Sequence, residues 1–218
     1  MHPFIDIHTH KQKTGGSIEI LNVEIKKDDA NRRNISMGIH PWNINDKNYG
    51  IHLLTIKNQL SHFKLQALGE IGIDRAISIS LDAQKQVFIE QVQLSESFNI
   101  PIIIHCVRAY SDILEIRNNV KAKQAWIFHG YNGSIQMAHQ IINHNCYLSF
   151  GEYLLKNTKI QAVFSKVPLN NIFLETDDAQ LTIDVIYQKA AQLKGLNIES
   201  LKEIIYNNYI QIFNENTH

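Results

Sequence analysis

The chain has 218 residues, 44% of them hydrophobic, with 21 acidic and 21 basic side chains. This length suits one domain, the apolar fraction excludes a disordered chain, and the zero net charge excludes a polycationic nucleic-acid coat. No apolar run approaches the ~18–20 residues of a membrane span, and the N-terminus lacks the pattern of a secretory signal. Two cysteines, Cys106 and Cys146, cannot make a disulfide scaffold. We therefore expect a cytoplasmic protein with no membrane association and no obligate protein partner.

Along the chain, short apolar runs typical of strands alternate with longer amphipathic runs typical of helices. The predicted strands are Phe4–Ile7, Ile18–Val23, Ile35–Gly38, Leu65–Gly69, Pro101–Ile104, Ala125–Phe128, Cys146–Ser149 and Asn171–Leu174. The predicted helices are Ile51–His62, Leu81–Phe98, Tyr110–Asn119, Gly133–Asn143, Thr158–Lys166, Leu181–Leu193 and Ile198–Phe213. In the helix from Leu81, the residues Val87, Leu94 and Phe98 share one face, which we expect to be buried.

The order of these elements predicts an α/β fold, a (β/α)8 barrel of the TIM type, in a single compact domain over residues 1–218. The run Pro101–Ile104 is apolar on both faces, as in a parallel strand covered by helices. Residues Lys11–Ser17 are too few and too rich in glycine for a helix. We therefore expect a shortened βα unit after the first strand.

Residues that follow the predicted strands carry imidazole and carboxylate groups, and in such a barrel they lie on one face. His8 and His10 are two residues apart, so they share one face of an extended segment. Taken singly, each group has an ordinary explanation, such as a solvated glutamate or a helix cap. Together they exceed the three protein ligands of a typical catalytic zinc site and predict two bound cations with a bridging carboxylate. The candidate ligands are His8, His10, Glu70, His105, His129 and Asp177.

Several short motifs carry these residues. They are FIDIHTH (4–10), GIHP (38–41), LGEIGID (68–74), IH (104–105), HGYNGS (129–134) and LETD (174–177). With these motifs the chain resembles the TatD-type metal-dependent hydrolases of the amidohydrolase superfamily, from residue 4 to about residue 213. One departure is the position of the arginine after the fifth strand, because Cys106 and Val107 separate Arg108 from His105.

The resemblance implies a set of ligand roles and an activity. It assigns His8, His10 and Asp177 to one divalent cation, His105 and His129 to a second, and Glu70 to both. It also implies a magnesium-dependent deoxyribonuclease of the 3′→5′ exonuclease type. Because four imidazoles suit zinc or manganese better than magnesium, all three metals stay open.

We expect hydrolysis of DNA or another phosphodiester by a water that the two cations activate. Glu70 and Asp177 are the candidate catalytic residues, and Asp177 is the expected proton acceptor. We expect Glu175 to orient a histidine ligand from behind, and His40 and Arg108 to hold a phosphate oxygen.

Two alternatives stay open. The same scaffold could hydrolyse an ester or amide bond, as a deacylase or amidase, or it could bind metal without catalysis. For Trp42 and Tyr131 we expect packing against the rim, with stacking on bases as the alternative. For Cys106 we expect a buried structural thiol rather than a metal ligand.

Overall fold

The computed structural model describes residues 2–12, 16–25, 34–44, 49–62 and 65–213. Within these ranges the strands are β1 Ile5–Thr9, β2 Ile18–Asn22, β3 Ile35–Met37, β4 Ala67–Asp74, β5 Ile102–Val107, β6 Trp126–Phe128, β7 Tyr147–Phe150 and β8 Ile172–Leu174. The helices are α1 Tyr49–His62, α2 Leu81–Phe98, α3 Tyr110–Val120, α4 Ile135–Asn143, α5 Tyr153–Lys156, α6 Thr158–Lys166, α7 Ile183–Lys194 and α8 Ile198–Phe213. Short 3-10 turns cover Pro41–Asn43 and Leu169–Asn171.

The strands form one sheet whose order follows the chain from β1 to β8. The register pairs are parallel between β1 and β2, β3 and β4, β4 and β5, β6 and β7, and β7 and β8. A parallel bridge between Thr9 and Asp177 places the segment after β8 beside the end of β1. This order, with helices between the strands, is that of a (β/α)8 barrel, so the predicted fold class is confirmed.

Every predicted strand and helix has a counterpart, whereas α5 and the two 3-10 turns were not predicted. In the described part of the connection from β1 to β2, residues 10–12 and 16–17, no helix forms, as expected for a shortened unit. None of the helices in the described ranges combines the length and the apolarity that crossing a bilayer would require.

By its internal contacts the chain divides into two compact units, one of Met1–Leu21 with Ile127–His218 and the other of Asn22–Trp126. The prediction of a single domain is not tested by this division and stays a prediction. Each unit has its own buried residues, which hold its strand ends in place.

In the first unit, aromatic side chains form much of the core. The Phe150 ring on β7 lies 5.1 Å from that of Phe164 on α6 and 5.6 Å from that of Tyr131, measured between centroids. The Tyr187 hydroxyl on α7 accepts a hydrogen bond from the Ile5 amide at 3.1 Å and donates to the Ile5 carbonyl at 3.2 Å. The two hydrogen bonds of Tyr187 fix the start of β1, the strand that leads to the candidate ligands His8 and His10.

In the second unit, α2 holds the strands through buried glutamines. The Gln91 side chain accepts a hydrogen bond from the Ile39 amide at 2.7 Å and donates to its carbonyl at 3.2 Å. The Gln84 side chain accepts from the Asp74 amide at 2.8 Å and donates to its carbonyl at 3.1 Å. Each glutamine therefore satisfies the backbone N–H and C=O groups of one residue, Ile39 or Asp74. Ile39 directly precedes the candidate site residue His40.

The expected buried face of α2 is correct in only one of its three residues. Val87 is buried, but Leu94 and Phe98 are only partly buried. The buried face carries Phe88 and Val92 beside Val87, together with the polar Gln84, Gln91 and Ser95. An apolar spacing rule misses the polar part of this face, because these three side chains are buried with hydrogen bonds to backbone groups outside the helix.

Candidate metal-binding groups

The first group, here called the histidine–aspartate group, consists of His8, His10 and Asp177. His8 lies within β1, and His10 follows the strand by one residue. The Asp177 amide donates to the His8 carbonyl at 2.9 Å, and the His10 amide donates to the Asp177 carbonyl at 3.1 Å. Because side chains alternate along an extended chain, His8 and His10, two residues apart, point to the same face. The backbone pairing with Asp177 brings both imidazoles next to the Asp177 side chain.

The side-chain spacing in this group suits a shared cation. The Nε2 atoms of His8 and His10 lie 3.5 and 3.4 Å from Asp177 Oδ1. These separations exceed those of good hydrogen bonds, about 2.7–3.2 Å. They match two ligand atoms that each lie about 2.0–2.2 Å from one ion at a near-tetrahedral angle.

The charge state of Asp177 also suits a metal ligand. Burial alone would raise the pKa of this carboxyl, but the adjoining imidazoles of His10 and His8 outweigh burial and hold the pKa well below its usual range. Asp177 is therefore a carboxylate at neutral pH, as a ligand must be.

A buried acid behind the group fixes the segment after β8. Asp6 is fully buried. Its carboxylate accepts hydrogen bonds from the Thr176 amide at 2.9 Å and the Thr176 hydroxyl at 2.6 Å. Since Asp6 is two residues before His8 and Thr176 is next to Asp177, this pair sets the position of both ligands.

His129 follows β6 in the same unit and lies against the histidine–aspartate group. Its ring centroid is 4.5 Å from that of His8. Its Nδ1 is 3.5 Å from Glu175 Oε1, which accepts a hydrogen bond from the Gly130 amide at 2.6 Å. Glu175 Oε2 is buried and has no hydrogen-bond partner among the described residues. At 3.5 Å the Glu175 carboxylate adjoins the Nδ1 edge of the His129 ring without a good hydrogen bond, so its expected role in orienting this histidine stays a prediction.

The second group, here called the histidine–glutamate group, consists of His40, Glu70 and His105 in the other unit. Glu70 Oε1 lies 2.6 Å from His105 Nδ1 and 3.3 Å from His40 Nε2. One ligand atom from each residue lies within 4.8 Å of the other two, as it does in the histidine–aspartate group. The donors fit a cation, although the shortest contact has the length of a hydrogen bond.

Asp74 is a residue of this region to which the sequence analysis gave no role. Its Oδ2 accepts a hydrogen bond from Trp42 Nε1 at 2.7 Å and lies 3.3 Å from His105 Nε2. Burial would raise the pKa of Asp74, but the hydrogen bonds from Trp42 and the Ala76 amide, together with His105, lower it. The His105 ring therefore lies between two carboxylates, Glu70 at Nδ1 and Asp74 at Nε2. The acidic end of the LGEIGID motif is the signal that could have identified Asp74.

The expectation that each ligand follows its strand is wrong for three residues. His8 lies inside β1, Glu70 inside β4, and His105 inside β5. β4 and β5 continue past their apolar runs because the ladder extends to the pair of Asp74 with Val107. The strands therefore present these side chains from ladder positions rather than from loops.

The remaining candidates differ in their surroundings. His40 contacts Glu70, so it is a candidate metal ligand as well as a candidate for binding a phosphate oxygen. Arg108 is exposed, and its side chain has no hydrogen bond or ion pair within the described part of the chain. Burial raises the pKa of Cys106 to about 12, so in the absence of a bound metal it is a thiol at neutral pH. Tyr131 is buried as expected, and Trp42 packs edge to face on the His40 ring as expected, although 63% of the residue is exposed.

The fold and these donors define a metal-dependent hydrolase built on a (β/α)8 barrel. A family model described as TatD related DNase matches residues 17–214, and the chain belongs to this family. The matched residues begin after His8 and His10, so these two histidines rest on the geometry above. The predicted family resemblance is confirmed.

Similar proteins agree with this assignment. The uncharacterized metal-dependent hydrolase YabD of Bacillus subtilis is 32% identical over 181 residues, which are 75% of this chain and 71% of that protein. Human deoxyribonuclease TATDN3 is 23% identical over 207 residues, 84% of this chain and 74% of its own. The crystal structure of YJJV, a TatD homologue of Escherichia coli, superposes with a TM-score of 0.79 at 20% identity and covers 97% of this chain and 98% of its own, which supports the fold.

Proposed function

We propose that this hydrolase cleaves phosphodiester bonds of DNA, as a 3′→5′ exonuclease that depends on two divalent cations. The observation that carries the proposal is the spacing of the histidine–aspartate group, in which two imidazole nitrogens lie 3.4 and 3.5 Å from one carboxylate oxygen. The deoxyribonuclease name of the human relative supports the choice of DNA.

The ligand roles in this proposal come from the family resemblance. By that resemblance, His8, His10 and Asp177 would hold one cation, His105 and His129 would hold the second, and Glu70 would serve both. His40 is a further donor for the second cation because of its 3.3 Å contact with Glu70. The imidazole-rich set favours manganese or zinc over magnesium.

A bound divalent cation supplies an activated water and charge for the phosphate oxygens. The proton acceptor in this proposal is Asp177, whose carboxyl is ionised and whose side chain is 39% exposed. Glu175, whose carboxylate lies 3.5 Å from His129 Nδ1, would orient the His129 ring. Arg108, whose exposed side chain has no hydrogen bond or ion pair among the described residues, would hold a phosphate oxygen. His40 would do so only in place of its role as a metal donor, because its Nδ1 accepts from the Trp42 amide and Nε2 alone remains.

Elemental analysis of the purified chain, followed by assays with and without a chelator, tests the proposal. We expect about two equivalents of metal and chelator-sensitive cleavage of single-stranded DNA. Bis-p-nitrophenyl phosphate and acyl esters are assayed beside DNA. Turnover of esters alone would refute the nuclease assignment and favour a deacylase, and metal binding without any turnover would favour a binding protein.

Two neighbouring aspartates provide a matched pair of variants. Asp177→Asn should lower kcat by at least 100-fold and weaken metal binding, because it removes both a ligand charge and the proton acceptor. Asp178→Asn alters an exposed residue with no place in either group and should keep wild-type activity. Equal activity of the two variants would contradict the role of Asp177.

A further inference from the structure

Trp42 is an exposed aromatic residue that the proposed function does not use. It is 63% exposed, whereas the other tryptophan of the chain, Trp126, is fully buried. Its single polar side-chain atom, Nε1, donates to Asp74 Oδ2 at 2.7 Å. The exposed part of the side chain is therefore hydrocarbon ring surface, which water solvates poorly.

This ring is held in place although it is exposed. Trp42 follows Pro41 in a 3-10 turn, and its amide donates to His40 Nδ1 at 3.1 Å. The indole and the His40 imidazole meet edge to face, with centroids 4.9 Å apart and planes at 85°. With the hydrogen bond to Asp74, these contacts fix both ends of the residue. A fixed aromatic surface loses little conformational freedom when a planar ligand stacks on it.

The ring also adjoins the histidine–glutamate group. Asp74 Oδ2, which binds the indole, lies 3.3 Å from His105 Nε2. The Trp42 and His105 ring centroids are 6.0 Å apart. Once a cation occupies the histidine–glutamate group and offsets its carboxylates, a ligand that combines a flat aromatic face with a nearby anionic group would match this surface, and a nucleotide has both parts.

We propose that Trp42 is a stacking platform for a nucleobase next to the scissile phosphate of single-stranded DNA, an inference that rests on the proposed function. Stacking on an indole tolerates every base, because each base has an aromatic face. Trp42 thus contributes to substrate binding without selecting a sequence. It also favours strands whose bases are unpaired, since a paired base is already stacked within the duplex.

Two substitutions separate stacking from the hydrogen bond to Asp74. Trp42→Phe keeps an aromatic face and removes the N–H donor, whereas Trp42→Leu removes both. With a single-stranded oligonucleotide, Trp42→Leu should raise KM about 10-fold with little change in kcat. Trp42→Phe should leave KM within about 2-fold of the wild-type value. Leu54→Ala, at a residue on α1 that is also 63% exposed, is the matched control and should change neither constant.

An oligonucleotide with an abasic residue beside the cleaved bond tests the ligand itself. The wild-type KM should rise about 10-fold with the abasic strand, and the KM of Trp42→Leu should not rise further. Equal KM values of wild type and Trp42→Leu on the intact strand, while the wild type still cleaves it, would overturn the inference and leave the proposed function standing. Equal increases in Trp42→Phe and Trp42→Leu would overturn it as well and assign the effect to the hydrogen bond.

Fluorescence of the wild-type chain gives a readout that needs no variant. Because Trp126 is buried, quenching by a bound strand reports mainly on Trp42. A cleavage-resistant phosphorothioate oligonucleotide should quench the emission, and its abasic analogue should quench it much less. Equal quenching by both strands would refute stacking. A wild-type chain that cleaves no strand in the presence of metal would refute the proposed function and this inference with it.

Discussion

Gly72 is the position where a single added methyl group should disturb the candidate site most directly. It lies in β4 opposite His105 of β5. A Cβ atom built on Gly72 would be 1.9 Å from the His105 carbonyl oxygen and 2.8 Å from its carbonyl carbon. Because both neighbours are backbone atoms, no side-chain rotation relieves the overlap.

The size of the effect follows from that distance. Real Cβ contacts are not shorter than 3.0 Å, so Gly72→Ala must move the two strands apart by about 1 Å. Overpacking of this kind costs about 1–3 kcal/mol of folding free energy. For a chain of this length, each kcal/mol lowers Tm by about 2–4 °C. A shift of about 1 Å in a catalytic or ligating group can reduce the rate about 100-fold, and His105 moves with its backbone.

Thermal unfolding and cleavage of single-stranded DNA measure the two consequences. We expect Gly72→Ala to unfold several degrees below wild type and to lose about 100-fold in kcat/KM. Gly50→Ala is the control, because its added Cβ meets no heavy atom within 4 Å and lies in α1. That variant should be as stable as wild type or up to about 1 kcal/mol more stable. Wild-type Tm and activity in Gly72→Ala would refute the assigned contact between β4 and β5 at this position.

Three further substitutions test other parts of the structure. Phe164→Ala removes a fully buried ring that packs on Phe150, and we expect a loss of about 3–5 kcal/mol in urea unfolding. Hydrogen bonds from Arg75, together with Lys85, lower the pKa of Asp112 in the folded chain. The stabilisation by the ionised Asp112 is therefore fully present above the pKa of the unfolded chain, about 3.9, and is lost as the pH falls through the lower pKa of the folded chain. Asp112→Asn should therefore be about 1 kcal/mol less stable than wild type at pH 7, with the difference shrinking below about pH 4, and a constant difference down to pH 2 would contradict this. Glu175→Gln should weaken manganese binding by about 10–100-fold in a competition titration because it removes the charge beside His129, and unchanged affinity would remove Glu175 from the site.

The alternation of strands and helices follows from local sequence. The predicted bounds of α2, α6 and α8 agree with the structure at both ends. For α2 and α6 the reason is local capping: the Ser80 hydroxyl accepts a hydrogen bond from the Ala83 amide, and the Asn157 side chain accepts from the Lys159 amide. Such signals lie within a few residues of the helix end, so they can be recognised in one dimension.

The ligand residues themselves were also visible in the sequence. Histidines and acids that interrupt or end apolar runs are costly to bury unless they have a partner, so their repeated appearance at strand ends indicates a shared role. His8, His10 and Asp177 are brought together as this reasoning requires. In the other unit, Glu70 and His105 are likewise in contact, at 2.6 Å.

Only the tertiary structure decided how far the strands extend and what the polar residues contact. β4 continues to Asp74 because β5 supplies the ladder partners, and the apolar run alone ends earlier. The Asp74 carboxylate contacts Trp42 and His105, which lie 32 and 31 residues away along the chain. The sequence by itself determined which side chains can bind metal and which segments are strands, since these depend on residue type and local spacing. The exposure of Trp42 and the partners of each carboxylate depend on neighbours distant along the chain, and these are set only when the strands pair.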